Sequence, residues 1–340
     1  MGGTIIVEFF DSEVLRGNPL GDPHLRRIPV YLPPSYGRGT KRYPVIYFLT
    51  GFTGSGEMMQ NRSAWSETLS ERCDRLIARK KMAEAIVVMP DCFTRYGGSQ
   101  YLNSSATGRY EDHLAKELVE YIDRQYRTIP TANARAIMGK SSGGYGAMIH
   151  GMRHPDTFGV VCCTSGDMYF LYCYLVDFPK AQDTFRKHGG CAGFIKHWEQ
   201  RPKRMEMSLF PAINTLAMAS CYSPNPKSPL GFDLPIDEKT GELRPDVWRR
   251  WLEWDPVEII GRYARNLRKL SLLFLDCGSR DEFNLHHGMR IFSRKAKELK
   301  IRHIVEEFDD THMNIQYRYD RSLELASRAF RNVTGRRNEE

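Results

Sequence analysis

Runs of β-branched and aromatic residues alternate with amphipathic helical stretches along most of this chain, and that alternation restricts the fold more than any single motif does. Ile5 to Phe10, Ile28 to Leu32 and Val45 to Leu49, each bounded by Gly, Pro or Asp, read as three successive strands. Next come a helical stretch through Trp65 to Lys81, the strand Ala85 to Pro90, and a Gly- and Asn-rich loop from Asp91 to Gly108. A long helix from Glu111 to Tyr126 carries Leu114, Leu118, Tyr121 and Ile122 on one face. The strand Ala134 to Met138, a helix ending near Pro155, and the strand Phe158 to Thr164 extend the series. It closes with Ser271 to Asp276 as strand, Leu285 to Leu299 as helix, His303 to Phe308 as strand and Asn314 to Val333 as helix. This order predicts a mostly parallel central sheet flanked by helices on both faces, with the opening strands antiparallel at its edge.

The pattern breaks between Asp167 and Leu270, a span that holds Trp198, Trp248, Trp251, Trp254, several prolines and the turn-like Asp237-Glu238-Lys239-Thr240-Gly241. A structureless loop of that length does not suit a compact domain, so 167–270 is expected to form an inserted helical, cap-like subdomain. Residues 1–166 and 271–340 then make the main α/β domain. Because the insert leaves and rejoins at strand ends, where loops carry function, its Trp-rich parts are expected over the C-terminal edge of the sheet.

At 340 residues with 41% hydrophobic content, the chain can bury a substantial core. Its net charge of +8 is scattered. The densest basic stretch, 262–269, has Ile259, Ile260, Tyr263, Leu267 and Leu270 at helical spacing, which makes it the wet face of an amphipathic helix. No nucleic-acid partner is expected. No apolar run reaches the ~18 residues of a membrane span, and the N-terminus lacks a secretory pattern, so the expected location is cytoplasmic. The eight cysteines form no C-x-x-C pair and read as reduced thiols; neither a metal nor a cofactor is expected.

Chemistry concentrates at Gly139-Lys140-Ser141-Ser142-Gly143, a G-x-S-x-G sequence between an apolar strand and a helix. This is the nucleophile-elbow pattern of the α/β-hydrolase fold, in which a sharp turn exposes the serine. A serine hydroxyl at its ordinary pKa needs a neighbouring base, and a helix N-terminus offers N–H groups to a developing oxyanion. Ser142 cannot substitute, since Lys140 stands two residues before it. The loop Leu49-Thr50-Gly51-Phe52-Thr53-Gly54-Ser55-Gly56 follows the third strand, where this fold supplies its other oxyanion donor; the backbone N–H groups of Phe52 and Ser142 are the candidates.

Chain order in this fold is Ser, acid, His. Of ten histidines, His312 alone follows the final strand and precedes the final helix. For the acid, Asp276, Asp281, Glu282 and Asp309 compete. Asp276 belongs to a strand and Asp309 sits three residues before His312, so Asp281, beyond the turn Cys277-Gly278-Ser279, is the choice.

Val30-Tyr31-Leu32-Pro33-Pro34, Tyr43 to Leu49, Glu117-Leu118 through Tyr126-Arg127, Gly139 to Ala147 and Pro155 to Gly159 together resemble the esterase branch of the α/β-hydrolases. That branch includes S-formylglutathione hydrolase (esterase D), enterochelin esterases, feruloyl esterases and mycolyltransferases. The resemblance implies carboxylic ester or thioester hydrolysis of a small-molecule substrate by Ser141, Asp281 and His312 without metal or cofactor. Thr50-Gly51 stands where many members carry His-Gly, closer to the Ser-Gly of the S-formylglutathione hydrolases. The insert is longer than in that enzyme, so its substrate does not carry over. Two other readings use the same scaffold: acyl transfer to an alcohol or sugar, and a catalytically silent binding protein.

Overall fold

The computed structural model describes residues 2–204 and 206–334. Eight strands form the main sheet: β1 (Thr4–Asp11), β2 (Leu25–Leu32), β3 (Val45–Leu49), β4 (Ile86–Val88), β5 (Arg135–Lys140), β6 (Val160–Thr164), β7 (Leu272–Gly278) and β8 (Ile304–Phe308). Their spatial order is β1-β2-β4-β3-β5-β6-β7-β8. β2 pairs antiparallel with both β1 and β4, while β4, β3, β5, β6, β7 and β8 run parallel. This is the α/β-hydrolase architecture that the alternation of elements predicts.

Burial explains the composition of the strands. Every residue of β3 and β6 is buried, as continuous apolar runs require when both faces are covered. Val45, Tyr47 and Leu49 enter one core and Ile46 and Phe48 the other, since successive side chains point to opposite faces. Helices α1 (Leu69–Ala78) and α10 (Tyr319–Thr334) cover the second face. On the first lie α2 (residues 110–125, with a π-helical stretch at His113–Leu118), α3 (Ser142–Arg153), α8 (Pro256–Leu267) and α9 (Leu285–Glu298).

Several boundaries differ from expectation for local reasons. The helix expected from Trp65 starts at Leu69, because Thr68 and Glu71 form a capping box; Trp65 is 96% exposed. Strand β7 runs on to Gly278, two residues past Asp276. His303 precedes β8 and does not belong to it. The last helix starts at Tyr319, after a 3-10 turn at Gln316–Arg318.

Between β6 and β7 lie α4 (Phe178–Lys187), α5 (Cys191–Gln200), α6 (Phe210–Tyr222), α7 (Pro245–Leu252) and α8. Asp255 caps α8 by accepting the Val257 N–H, with Pro256 at the first helical position. α8 packs on α3 and α9 and thus belongs to the layer flanking the sheet. The apolar side chains of α4 to α7 run without a break into the first-face core. Trp251 is fully buried, its indole N–H donating to Ser223 Oγ at 2.9 Å, with Phe178, Tyr222 and Trp248 against its ring. The tryptophans expected over the sheet edge therefore include two, Trp248 and Trp251, that build the interior of the segment instead.

Candidate active site

β5 ends at Lys140 and α3 begins at Ser142, leaving Ser141 alone at the turn with φ 59° and ψ −129°. A non-glycine residue there is strained, and such strain persists only where surrounding structure enforces it. The flanking glycines provide clearance more than rotation. A Cβ at Gly139 or at Gly143 would stand 2.5 Å from the Leu49 carbonyl oxygen, so only glycine lets α3 start against the end of β3. The Ser141 N–H donates to Thr164 O on β6 at 3.0 Å, tying the turn to the next strand.

The loop after β3 lies against this turn. A Cβ on Gly51 would be 3.5 Å from Ser141 Cβ. The loop is held by Thr50 Oγ1 donating to Gly54 O at 2.9 Å and by Tyr101 O–H donating to Thr50 O at 2.6 Å. The Phe52 ring is pinned beneath the backbone of Gly97, where a Cβ would approach it to 2.6 Å. Among the described residues, the backbone N–H groups of Phe52 and Ser142 donate to no other protein group.

On the loops after β7 and β8, His312 Nδ1 lies 2.7 Å from Asp281 Oδ2, with both side chains buried. The other Asp281 oxygen accepts the Phe283 N–H at 2.9 Å, and the Cys277 thiol points at Oδ2 from 3.6 Å. Burial pushes the Asp281 carboxyl up, but the His312 imidazole and the Phe283 and Leu285 N–H groups outweigh it, and the carboxyl sits below its ordinary value. The other acids have separate partners. Asp276 accepts from Arg318 Nε at 2.8 Å, Asp309 pairs with Arg280 at 3.0 Å, and Glu282 accepts the His312 backbone N–H at 2.6 Å.

Several residues of this region give no signal in the sequence. The Phe283 ring packs edge-on to His312 with centroids 4.8 Å apart. Phe210, at the start of α6, lies 5.8 Å from Phe283 and 6.1 Å from Phe52, bridging the two loops. Asp167, three residues beyond β6, accepts from Ser142 Oγ at 3.3 Å, Tyr174 O–H at 2.8 Å and Gln100 Nε2 at 3.1 Å. The Lys140 side chain is half-buried, and burial lowers its pKa against the pull of Asp281 and Glu282. No cluster of three or more His, Cys, Asp or Glu side chains among the described residues could hold a metal ion, and no described helix is long and apolar enough to cross a membrane.

A serine strained at a strand-to-helix turn, two free backbone N–H groups and a buried His–Asp pair can together support acyl chemistry on the serine oxygen. Known proteins give the same direction. The sequence profile of the family described as "Putative esterase" matches residues 23–318. An endo-1,4-beta-xylanase/feruloyl esterase of Xylanibacter ruminicola is 32% identical over 146 residues, which is 41% of this chain and 19% of that protein. The chain thus spans about a fifth of that relative's length. Among solved structures, a ferulic acid esterase superposes with a TM-score of 0.63 at 21% identity, covering 97% of this chain and 99% of the other. An S-formylglutathione hydrolase from Agrobacterium tumefaciens superposes with a TM-score of 0.57 at 18% identity, covering 97% and 96%. At such identities these two likenesses speak for the fold.

Proposed function

The chain belongs to the esterase family whose profile spans residues 23–318, and on that premise we propose that it is a serine hydrolase of carboxylic esters acting through an acyl-enzyme on Ser141. The observation that carries this reading is the buried 2.7 Å pairing of His312 with Asp281 on the loops beyond β7 and β8, in a chain whose elbow serine is held at positive φ. Asp281 keeps the His312 proton on Nδ1, which leaves Nε2 as base. Ser141 Oγ attacks the ester carbonyl carbon as its proton passes to Nε2, and the N–H groups of Phe52 and Ser142 receive the oxyanion. The C–O bond to the alcohol then breaks as Nε2 returns the proton to the leaving oxygen. Water, deprotonated by the same nitrogen, releases the acid and restores Ser141.

The segment 167–270, apart from α8, which joins the layer flanking the sheet, acts in this reading as a cap, with residues 1–166 and 271–340 as the catalytic domain. Phe210, set between Phe52 and Phe283, supports that assignment. Eight free, buried cysteines accord with a reducing, cytoplasmic setting. The names of the relatives, feruloyl esterase and S-formylglutathione hydrolase, support a carboxylic ester or thioester as the small-molecule substrate.

Treatment with a fluorophosphonate followed by peptide mass spectrometry tests the reading. The adduct should fall on Ser141, and Ser141→Ala should lose both labelling and p-nitrophenyl ester cleavage while remaining folded. An adduct on Ser142 or a cysteine, or full activity in Ser141→Ala, would reject it.

A further inference from the structure

The mechanism above leaves one buried carboxylate beside the reacting serine without a task. Asp167 is only 7% exposed. All three donors to its Oδ2 are neutral, and they come from separate parts of the chain: Ser142 at the elbow, Gln100 in the loop before α2, and Tyr174 in the segment after β6. Tyr222 of α6 steadies the group, accepting from Gln100 Nε2 at 2.8 Å. The other carboxylate oxygen, Oδ1, accepts no hydrogen bond from any described residue. Unlike Gln100 Oε1, it is not among the unpartnered atoms sealed from solvent, so it opens onto accessible space. The group lies beside the reacting centre, because its partner Ser142 follows Ser141 directly; burial raises the Asp167 carboxyl pKa, opposed by the hydrogen bonds from Tyr174, Gln100 and Ser142 and by the nearby His312 imidazole.

Three donors on one oxygen fix the carboxylate in a single orientation and oppose the upward push of burial on its pKa; the ionised form accepts hydrogen bonds and donates none. A group with a free acceptor so placed discriminates: a ligand bearing an O–H or N–H satisfies it, and an apolar ligand strips its water and leaves it unpaired. We propose that Asp167 Oδ1 is a substrate-recognition acceptor, and that the preferred esters carry a hydroxyl or ammonium donor close to the scissile carbonyl. This inference rests on the hydrolase reading and adds to it the class of substrate.

The substitution Asp167→Asn reverses the polarity of the site. The amide carbonyl must stay with Ser142, Gln100 and Tyr174, which turns the amide NH2 toward the substrate and makes the acceptor a donor.

The test compares kcat/KM of the full chain for p-nitrophenyl butyrate with its 2- and 3-hydroxy and 2- and 3-amino derivatives. On the alcohol side, propyl butyrate is set against 2-hydroxyethyl and 2-aminoethyl butyrate. The wild type should favour at least one donor-bearing ester by roughly tenfold or more. Hydroxy and amino derivatives separate the two donor types, and Asp167→Asn should collapse the ratio. Tyr174→Phe, which frees the carboxylate to turn, should shrink it and serves if the first variant does not fold. No preference in the wild type, or a preference unaltered in the folded variants, overturns the proposal. Fluorophosphonate labelling separates this failure from that of the parent reading: a protein that labels at Ser141 and cleaves all these esters alike refutes the acceptor alone, whereas a wild type that neither labels nor cleaves refutes the hydrolase.

Discussion

His312 Nδ1 and Asp281 Oδ2 are 2.7 Å apart, and the same carboxylate receives the Phe283 N–H on its other oxygen. Asp281 is thereby held from two sides, so that its free lone pairs face the imidazole and the proton on Nδ1 has one place to go.

Asp281→Asn should accordingly lower kcat by about three to four orders of magnitude, since an amide can present its NH2 to Nδ1 and stabilise the wrong tautomer. Thermal stability should change little. Asp276→Asn is the control. That carboxyl, raised to about 6 chiefly by burial, is engaged by Arg318 Nε at 2.8 Å, so its loss should cost stability and leave turnover within a few-fold. Steady-state kinetics on both variants decide the assignment: normal turnover in Asp281→Asn with collapse in Asp276→Asn would move the acid back into β7.

Phe210 belongs to the segment 167–270, yet its ring touches the surroundings of both Phe52 and His312 through Phe283. Truncating it should widen the approach to Ser141. Phe210→Ala is expected to raise relative kcat/KM for bulkier or longer acyl p-nitrophenyl esters several-fold against the acetate. A uniform change along the series would reduce Phe210 to a packing residue.

Trp251 gives the opposite expectation. It is fully buried among Tyr174, Phe178, Tyr222 and Trp248, with its N–H bound to Ser223 Oγ. Trp251→Ala should destabilise by about 3–5 kcal/mol, read in urea melts. Any altered ester preference should be far smaller than in Phe210→Ala.

The difference between Phe210 and Trp251 marks where sequence reasoning stops. An apolar β-run entering Gly139 to Gly143 identifies its own turn, because strand, glycines and helix are neighbours in the chain. The nearness of His312 to Asp281 also follows from order along the chain, since both sit just past adjacent parallel strands. Nothing local distinguishes an aromatic residue that faces a cleft from one that fills a core, so the Trp-rich stretches of 167–270 draw the expectation while Phe210 passes without a signal. Asp167 is a stronger case, for its partner Gln100 is held in turn by Tyr222, and the two meet only through the packing of α6 on the loop before α2. In sequence it looks like the first residue of an irregular span.

Acid should reveal a buried ion pair that lies away from Ser141. Glu111 on α2 is almost fully buried and accepts from Arg153 Nε at 2.8 Å and His154 Nε2 at 2.7 Å, both at the end of α3. Burial alone would raise its pKa, but the two hydrogen bonds and the charges of His150 and Arg153 prevail and bring it to about 2 from 4.5. A depressed carboxyl stabilises the fold above its unfolded value and loses that contribution as pH falls through the folded one. A shift of this size corresponds to about 3 kcal/mol at neutral pH, fading between about 4.5 and about 2. Glu111→Gln should therefore be markedly less stable than the wild type at pH 7, and the gap should narrow to about half near pH 3 as the unfolded wild-type chain takes up its proton. Urea melts of both proteins at the two pH values measure this directly. A gap that stayed constant would mean that Glu111 acts through packing, and that its charge contributes nothing to holding α2 against α3.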